Sequence, residues 1–332
     1  MSMLDWYDMQ IPIDQKNKYK RVEEYIDQAQ NILIATHQSP DGDAIGSLSA
    51  LMEFLNSRDK RYTAFSRDGV PDNFLFLRNA CRMVSSEDEL LRESFDLVIV
   101  IDCSSLGYTG FSIKVLTQID KVKLVTIDHH EGNEEYGEFN LIEPKSSSTS
   151  VMIYKLFKLT GARMTSEVAT GMLLGILTDT SNFTNQATNA ESLEIAADLI
   201  GKSGKYNYII KKVYQDKTEE SLRVWSKVLS RLQKNDKLNI AYSVVLESDI
   251  GKSEENATDG ISNFFNSLDG VKMAMVLKEK DGNQVKVSLR GIEEEANVLK
   301  LAQLFGGGGH TKSAGFLVKG RLEKIGEYWK VV

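Results

Sequence analysis

The sequence predicts an α/β protein in two parts: a parallel sheet with helices on both faces, then a smaller α/β domain. Three observations favour this fold class. The chain has 332 residues, which is long for one compact domain and suits two. Short apolar runs alternate with helical periodicity up to about residue 201. After residue 202 the pattern changes to a polar, basic stretch, which predicts a boundary there.

Four short apolar segments predict the strands of the first part. The run FDLVIVI is apolar except for Asp96, as expected for a strand that is buried on both faces. The four predicted strands cover 31–36, 61–66, 95–101 and 122–127. Apolar residues that recur every three to four positions predict helices over 44–55, 149–160, 166–178 and 189–201.

The second part begins with an amphipathic pattern that predicts a helix, at 218–233, able to bridge two domains. The remaining predicted elements are a strand at 238–246, a hairpin of 271–278 and 284–290 around Asp281-Gly282-Asn283, a helix at 295–305, a glycine run and a strand at 314–318. We therefore predict a first domain at 1–202 with an extension at 1–25, a helical linker at 203–235 and a second domain at 236–332.

Composition and charge exclude several classes of protein. Hydrophobic residues make up 42% and charged residues 26%, so disorder over most of the chain is excluded. No apolar run is long enough for a transmembrane helix, and we expect no secretion signal at the N-terminus. The two cysteines, Cys81 and Cys103, predict no disulfide framework and favour the cytoplasm. The net charge of -7 argues against a broad basic face for duplex DNA.

The four histidines are the most informative residues of the chain. His37 opens the segment HQSPDGD, which contains Asp41 and Asp43 and lies between a predicted strand and a predicted helix. Open α/β sheets bind ligands there, at the carboxyl ends of their strands. The alternative is a loop in which Asp43 only caps the following helix. His310 follows four glycines in the second part.

Three further acidic or histidine positions follow predicted secondary structure. Asp102 ends the most apolar strand, where a buried carboxylate is costly unless it is paired or binds metal. Asp128-His129-His130 ends another strand; the alternative is a solvated surface pair. Asp179 ends an apolar helix, at the end where the helix dipole disfavours a negative charge.

Together these positions supply two histidines and four carboxylates as candidate metal ligands. Mixed imidazole and carboxylate ligands suit Mn²⁺ and related ions better than metals that prefer thiolates. Two such ions can activate water for the cleavage of phosphoric esters. The candidate ligands are His37, Asp41, Asp43, Asp102, His129 and Asp179.

The order of these motifs resembles that of the DHH phosphoesterase superfamily. The segment from His37 to Ser47 is similar to its first motif, Asp102 to its second, Asp128-His129-His130 to its third and Asp179 to its fourth. The run from Phe305 to His310, preceded by VSLR, resembles the glycine-rich substrate motif of the DHH-associated domain. The resemblance covers about 30–320 and implies a catalytic domain, a helical linker and a small substrate-binding domain.

The resemblance also implies a role for each motif residue. One Mn²⁺ is expected on His37, Asp41 and Asp102, and a second on Asp43, Asp102, His129 and Asp179, with Mg²⁺ or Co²⁺ as other options. His130 and Asp102 are expected to be catalytic, with His130 on the scissile phosphate. Asp128 is expected to orient an adjacent histidine. The expected substrate-binding residues of the second domain are Gly307, Gly308, Gly309, Arg290 and His310. Independently of the resemblance, the run SSSTS with Ser148 and Thr149 lies where a helix is predicted to begin and is expected to bind an anionic group of the substrate; the alternative is simple N-capping.

Within the superfamily the chain resembles the stand-alone nanoRNase and pAp phosphatase type. These enzymes remove mononucleotides from short RNA and dephosphorylate 3′-phosphoadenosine 5′-phosphate (pAp). The alternative is a phosphodiesterase acting on c-di-AMP or its linear form pApA. A non-catalytic nucleotide-binding protein is the alternative of another class. Where many nanoRNases have Gly-Arg after the fourth motif, this chain has Ser181-Asn182. The expected partners are a short RNA or small nucleotide and a second copy of the chain, with no membrane.

Overall fold

The computed structural model describes residues 11–215, 217–250, 255–258, 260–280, 283–309 and 311–332. The chain divides into two compact units between residues 215 and 216. Within these described ranges, no helix is both long and apolar enough to cross a membrane.

The first unit is built on a five-stranded parallel sheet in the order β2-β1-β3-β4-β5. Its strands are β1 (Asn31–Ala35), β2 (Arg61–Phe65), β3 (Leu97–Ile101), β4 (Lys123–Asp128) and β5 (Phe139–Ile142). Its helices are α1 (Ile13–Gln28), α2 (Gly42–Asn56), α3 (Glu87–Leu91), α4 (Ile113–Ile119), α5 (Thr149–Thr160), α6 (Ser166–Asp179), α7 (Ala190–Gly201) and α8 (Tyr206–Ile209), and α8 continues as a π-helix at Ile210–Tyr214. Short 3₁₀ turns lie at Asp72–Phe74, Ala80–Arg82 and Leu106–Thr109.

Both faces of this sheet are buried, which explains why its central strands are apolar without alternation. In β3, Leu97, Ile99 and Ile101 belong to one hydrophobic cluster, whereas Val98 and Val100 belong to another on the opposite face. Successive side chains of a strand point to opposite faces, so a continuous apolar run serves both clusters. In β1 and β3, polar side chains therefore lie only at the strand ends or just beyond them.

Helices α2 and α6 cross in close contact, and glycines permit the approach. A Cβ added at Gly46 would lie 2.3 Å from the carbonyl oxygen of Gly171. A Cβ at Gly175 would lie 1.9 Å from Ser150 Oγ and 2.3 Å from Asp43 Oδ1. Asp43 lies at the start of α2 and Asp179 at the end of α6. The crossing of these two helices therefore fixes the positions of both carboxylates.

The second unit contains a six-stranded sheet in the order β10-β11-β9-β8-β7-β6, in which only β7 and β8 run parallel among the described strands. Its strands are β6 (Gln233–Asn235), β7 (Ile240–Val245), β8 (Met273–Lys280), β9 (Gln284–Gly291), β10 (Gly308–Gly309) and β11 (Ser313–Lys319), with a separate hairpin of β12 (Leu322–Ile325) and β13 (Tyr328–Val331). Its helices are α9 (Glu219–Ser230), α10 (Glu247–Ile250), α11 (Ile261–Phe264) and α12 (Val298–Leu304), with 3₁₀ turns at Glu255–Thr258 and Phe265–Ser267.

The predicted fold class is confirmed, with a parallel sheet in the first unit and a smaller α/β unit after it. The sequence did not predict α1, because its charged residues outnumber its apolar ones, although Tyr19, Val22 and Ile26 are fully buried. It also missed β5, which has only four residues. Strands β8 and β9 pair as the predicted hairpin, while Asp281 and Gly282 at its turn lie outside the described residues.

Candidate metal centre

Strand ends and helix ends bring the predicted ligands to one edge of the parallel sheet. His37 follows β1, Asp102 follows β3, and Asp128 is the last residue of β4. In a parallel sheet the carboxyl ends of all strands lie at the same edge. Ligand atoms fall into three groups, within each of which all atoms lie within 4.8 Å of one another. These groups are His37, Asp41 and Asp102; Asp43, His129 and Asp179; and Asp102, His129 and His130.

His37 and His129 both present their ring nitrogen Nε2 to the carboxylates. Nδ1 of His129 lies 3.2 Å from the carbonyl oxygen of Ser146, and Nδ1 of His37 lies 2.8 Å from that of Gln38. The Nε2 atom of His129 therefore points to Asp179, at 3.1 Å, and that of His37 to Asp102, at 3.8 Å. A backbone carbonyl on one nitrogen commonly fixes the tautomer that presents the other nitrogen to a metal.

Asp41 and Asp43, the two aspartates of the first motif, have different roles. Asp41 is the N-cap of α2, and its Oδ1 accepts hydrogen bonds from the backbone amides of Asp43 and Ala44. Asp43 is fully buried and turns inward. The alternative in which Asp43 only caps this helix is therefore wrong, because Asp41 is the cap.

The start of α5 binds the carboxylate of Asp43. The backbone amides of Thr149 and Ser150 donate to its two oxygens, at 2.6 and 2.9 Å, and Ser47 Oγ donates at 3.2 Å. The N-terminus of a helix favours an anion, and here that anion is a side chain of the protein.

Ser148 and Thr149, whose role in binding substrate stays a prediction, lie at the start of this helix. Both residues are fully buried. Ser148 Oγ caps α5 by accepting from the amide of Val151, and Thr149 Oγ1 donates to Asp102 Oδ1 at 3.0 Å. The hydroxyl of Ser148 therefore stabilises the start of α5, and that of Thr149 holds the carboxylate of Asp102.

Asp128 holds the second histidine of its motif. Its Oδ1 lies 2.7 Å from Nδ1 of His130, and its Oδ2 accepts a 2.6 Å hydrogen bond from Asn133, which the sequence did not single out. His130 Nδ1 also lies 3.8 Å from Asp102. His130 is thus oriented by Asp128, whereas His37 and His129 are oriented by backbone carbonyls.

The buried carboxylates strongly perturb one another's pKa values. Burial raises the pKa of Asp43 well above its usual value, and the charges of Asp102 and Asp179 raise it further. Burial also raises the pKa of Asp179 to about 6, although the hydrogen bond with His129 works in the opposite direction. For Asp102, burial is outweighed by the nearby imidazole of His37 and by the charges of His130 and His129, so its pKa is lowered.

The carboxylates in turn raise the pKa values of the histidines. Burial opposes the imidazolium of His37, but the nearby carboxylate of Asp102 and the charge of Asp41 raise its pKa to about 10. Burial likewise opposes the charged form of His129, and its contact with Asp179 raises the pKa well above the usual value. Clustered buried carboxylates with oriented imidazoles form a donor set that fits divalent cations, whose binding displaces protons from the histidines.

A strained turn follows Asp179. Ser181, Asn182 and Phe183 all have a left-handed backbone, with φ of 49°, 57° and 62°. Residues with a Cβ rarely adopt this conformation, and strain of this kind concentrates at functional sites. Two tyrosines fix the turn: Tyr206 donates to Asn182 Oδ1, and Tyr214 donates to the carbonyl oxygen of Leu177 at 2.6 Å.

Replacing Ser181 by glycine is expected to raise the free energy of unfolding by about 0.5–1 kcal/mol, because glycine adopts a left-handed backbone without strain. Chemical denaturation of the metal-free protein measures this change. Ser57→Gly is the matched control, since Ser57 has φ of -66° and its substitution should destabilise the protein. Equal effects of the two substitutions would show that the turn after Asp179 is not strained.

The predicted substrate-binding residues of the second unit lie on β9 and on the glycine run. Arg290 donates hydrogen bonds to the side-chain oxygen of Asn263 and to the carbonyl oxygen of Leu289. Burial lowers the pKa of its guanidinium to about 10. Gly308 and Gly309 form β10, which pairs with β11. A Cβ at Gly307 would lie 2.1 Å from the carbonyl oxygen of Gly315, so only glycine fits there. His310 lies outside the described residues.

An aromatic pair beside the glycine run was not predicted from the sequence. Phe305 stacks on Phe316, with ring centroids 4.5 Å apart and an angle of 11° between the rings. Phe305 is nevertheless 52% exposed. No periodicity in the sequence signals this pair, because it joins a helix end to a strand.

Comparison with known proteins identifies two families along the chain. Residues 31–176 match the DHH family, N-terminal domain, and residues 237–332 match the DHHA1 domain. The first match contains the predicted ligands except Asp179, which lies just beyond its end.

Three relatives illustrate the range of similar proteins. The bifunctional oligoribonuclease and PAP phosphatase NrnA of Thermus thermophilus is 30% identical over 87% of this chain and 84% of its own length. The cyclic-di-AMP phosphodiesterase GdpP of Geobacillus thermodenitrificans is 26% identical over 88% of this chain but only 45% of its own length. The crystal structure of an exopolyphosphatase-related protein from Bacteroides fragilis is 27% identical, covers 91% of both chains and superposes with a TM-score of 0.82.

The identity with the Thermus relative over most of both chains agrees with the two domain matches and with the gathered motif residues. This chain is therefore a member of the DHH family of phosphoesterases that carries a C-terminal DHHA1 domain.

Proposed function

We propose that this chain is a metal-dependent hydrolase of phosphoric esters that degrades short oligoribonucleotides, pAp or both. One observation carries the proposal: six candidate ligands from distant parts of the sequence converge at one edge of the sheet, and three of their carboxylates come close together in a buried site. Buried carboxylates are costly unless a cation balances them. The bifunctional oligoribonuclease and PAP phosphatase NrnA of Thermus thermophilus is similar to this chain over most of both lengths.

The proposed ligands divide into two sets that share Asp102. The first set is His37, Asp41 and Asp102, and the second is Asp43, Asp102, His129 and Asp179. We propose Mn²⁺ for both sets, because imidazole and carboxylate ligands suit it, with Mg²⁺ or Co²⁺ as substitutes. When bound, such cations supply activated water and neutralise charge on the phosphate.

The protein's own residues orient the reacting groups. The start of α5 fixes Asp43 and Asp102 through Thr149 and Ser150, so the carboxylates are held before substrate arrives. Asp128 holds His130 by its Nδ1. We assign the other ring nitrogen of His130 to a hydrogen bond with an oxygen of the scissile phosphate, where it stabilises developing negative charge.

Arg290 and the glycine run are the proposed substrate contacts of the second unit. The hydrogen bonds that Arg290 makes to described residues go to neutral oxygens of Asn263 and Leu289. An arginine in a desolvated position without a carboxylate on its guanidinium suits a phosphate ligand. We retain Gly307, Gly308, Gly309 and His310 as proposed contacts because they form the motif that the family resemblance identifies.

A cyclic or linear dinucleotide is the second candidate substrate. The similarity to the cyclic-di-AMP phosphodiesterase GdpP of Geobacillus thermodenitrificans supports it, since that similarity extends over 88% of this chain. A non-catalytic nucleotide-binding protein is a weaker alternative because all six candidate ligands are present. We also propose a cytoplasmic location, which the unpaired Cys81 and Cys103 support, and a homodimer, as the family resemblance implies.

Metal-stripped protein is expected to be inactive, and added Mn²⁺ should restore hydrolysis, because the ligand set would be filled again. The test is a turnover panel on one protein sample with pAp, pApA, c-di-AMP and RNAs of two to five nucleotides. A higher kcat/KM for pAp or short RNA than for the dinucleotides supports the main proposal. Full activity after thorough chelation would contradict the dependence on metal.

A further inference from the structure

The segment at 202–214 has a composition that the proposed chemistry does not use. It contains four lysines, three tyrosines and no acidic residue, although the whole chain has a net charge of -7. We propose that the exposed face formed by Tyr208, Lys211 and Lys212 binds the nucleotides of a short RNA that lie beyond the scissile phosphate. This inference rests on the proposed function and specifies its substrate as an oligonucleotide.

The fold presents these three residues outward. Ile209 is fully buried, and Ile210 and Val213 pack on the core of the first unit. Lys211 and Lys212 lie between them and are exposed. Their stretch is a π-helix, a rare form that occurs frequently at functional sites.

The face combines an aromatic ring with positive charge. The ring of Tyr208 meets that of Phe76 edge to face, with centroids 5.3 Å apart, and Tyr208 is still 43% exposed. Lys212 Nζ lies 5.9 Å from the centroid of Tyr208. Among the described residues, neither Lys211 nor Lys212 has an acidic partner within ion-pair distance, whereas Lys205 pairs with Glu167.

This combination matches the chemistry of single-stranded nucleic acids. Proteins that bind them without reading sequence place lysines along the phosphates and stack bases on aromatic rings. Unpaired lysines favour an anionic partner, and each phosphate contact releases counterions. A second copy of this chain is a poorer occupant, because a two-fold contact centred on this face would bring like charges together.

Hydrogen bonds connect the segment to the candidate metal centre. Tyr206 donates to Asn182, and Tyr214 donates to the carbonyl oxygen of Leu177. Leu177 and Asn182 flank Asp179, which is a proposed ligand. The segment that carries the exposed face is therefore anchored to the turn beside a proposed ligand.

The test compares pAp, which has one nucleoside, with a five-nucleotide RNA. The double variant Lys211→Gln/Lys212→Gln is expected to raise KM for the RNA about tenfold and to leave kcat and KM for pAp within twofold. RNA binding is also measured without divalent metal, by fluorescence anisotropy of a labelled five-nucleotide RNA at several salt concentrations. In the double variant the slope of log K against log salt should be smaller in magnitude by about 1.4, because each lost phosphate contact removes about 0.7.

Matched variants separate stacking and charge from structure. Tyr208→Ala should weaken RNA binding about tenfold, whereas Tyr208→Phe should retain wild-type affinity because its ring still stacks. Lys18→Gln/Lys20→Gln on α1 removes the same charge from other exposed positions and should change neither substrate.

Three other outcomes would contradict the inference. If the wild type hydrolyses both substrates and the Lys211/Lys212 variant handles RNA like the wild type, the inference is wrong and the proposed function stands. If the wild type hydrolyses neither, the proposed function is wrong, and the inference that rests on it falls too. If Tyr208→Ala converts a dimer into a monomer in a solution mass measurement, the face joins two copies, and the inference is wrong.

Discussion

Asp102→Asn is expected to lower kcat by about three orders of magnitude or more. Removing a single electrostatic group from a reacting centre commonly costs about 10²–10³ in kcat. Asp102 is proposed to ligate both cations, and its carboxylate lies among His37, His129 and His130. Because the loss affects both proposed cations, the cost should lie at or above the upper end of that range.

Asparagine is the right replacement because of the backbone at this position. Asp102 has φ of 53°, in the left-handed region that asparagine tolerates better than alanine. Thr149 Oγ1 can still donate to the amide oxygen, so the local packing survives. Loss of activity in Asp102→Asn would then report the lost charge and not a distorted chain.

A second measurement separates metal binding from catalysis. Mn²⁺ should raise the Tm of the wild type, since a ligand that binds only the folded state stabilises it, and this rise should disappear in Asp102→Asn. Asp120→Asn, at an exposed position after α4, is the control and should keep both activity and the Mn²⁺ response. Near-normal turnover in Asp102→Asn would refute its assignment as a shared ligand.

The convergence of the candidate ligands could be anticipated because it depends on topology. His37, Asp102 and Asp128 each follow an apolar strand, and parallel strands place their carboxyl ends together. Asp179 was recognised because a carboxylate at a helix C-terminus is electrostatically unfavourable. These inferences needed only the order of elements and the chemistry of the side chains.

Contacts between distant segments could not be read from the sequence. The serines and threonine before α5 suggested an anion site, but only the fold shows that Asp43 occupies it. The strained turn at Ser181 also escaped prediction, since serine gives no signal of a left-handed backbone. In both cases the decisive partner comes from another element of the fold.

Gly175→Ala is expected to abolish Mn²⁺ binding and activity and to lower the free energy of unfolding by about 1–3 kcal/mol, the usual cost of overpacking. The added methyl would lie 1.9 Å from Ser150 Oγ and 2.3 Å from Asp43 Oδ1. Relief requires that α5 or α6 move or that Asp43 rotate. Helix α6 carries Asp179, and α5 donates the amides that hold Asp43, so each movement disturbs a proposed ligand. The protein should therefore lose the metal site before it loses its fold.

Circular dichroism melts with and without Mn²⁺ measure both effects, and isothermal titration gives the affinity. Gly201→Ala is the matched control, because Gly201 ends α7 and a Cβ there meets nothing within 4 Å. This control should be as stable as the wild type or slightly more so, since alanine suits a helix better than glycine. A Gly175→Ala protein that binds Mn²⁺ with wild-type affinity would mean that the close crossing of α2 and α6 does not position Asp43.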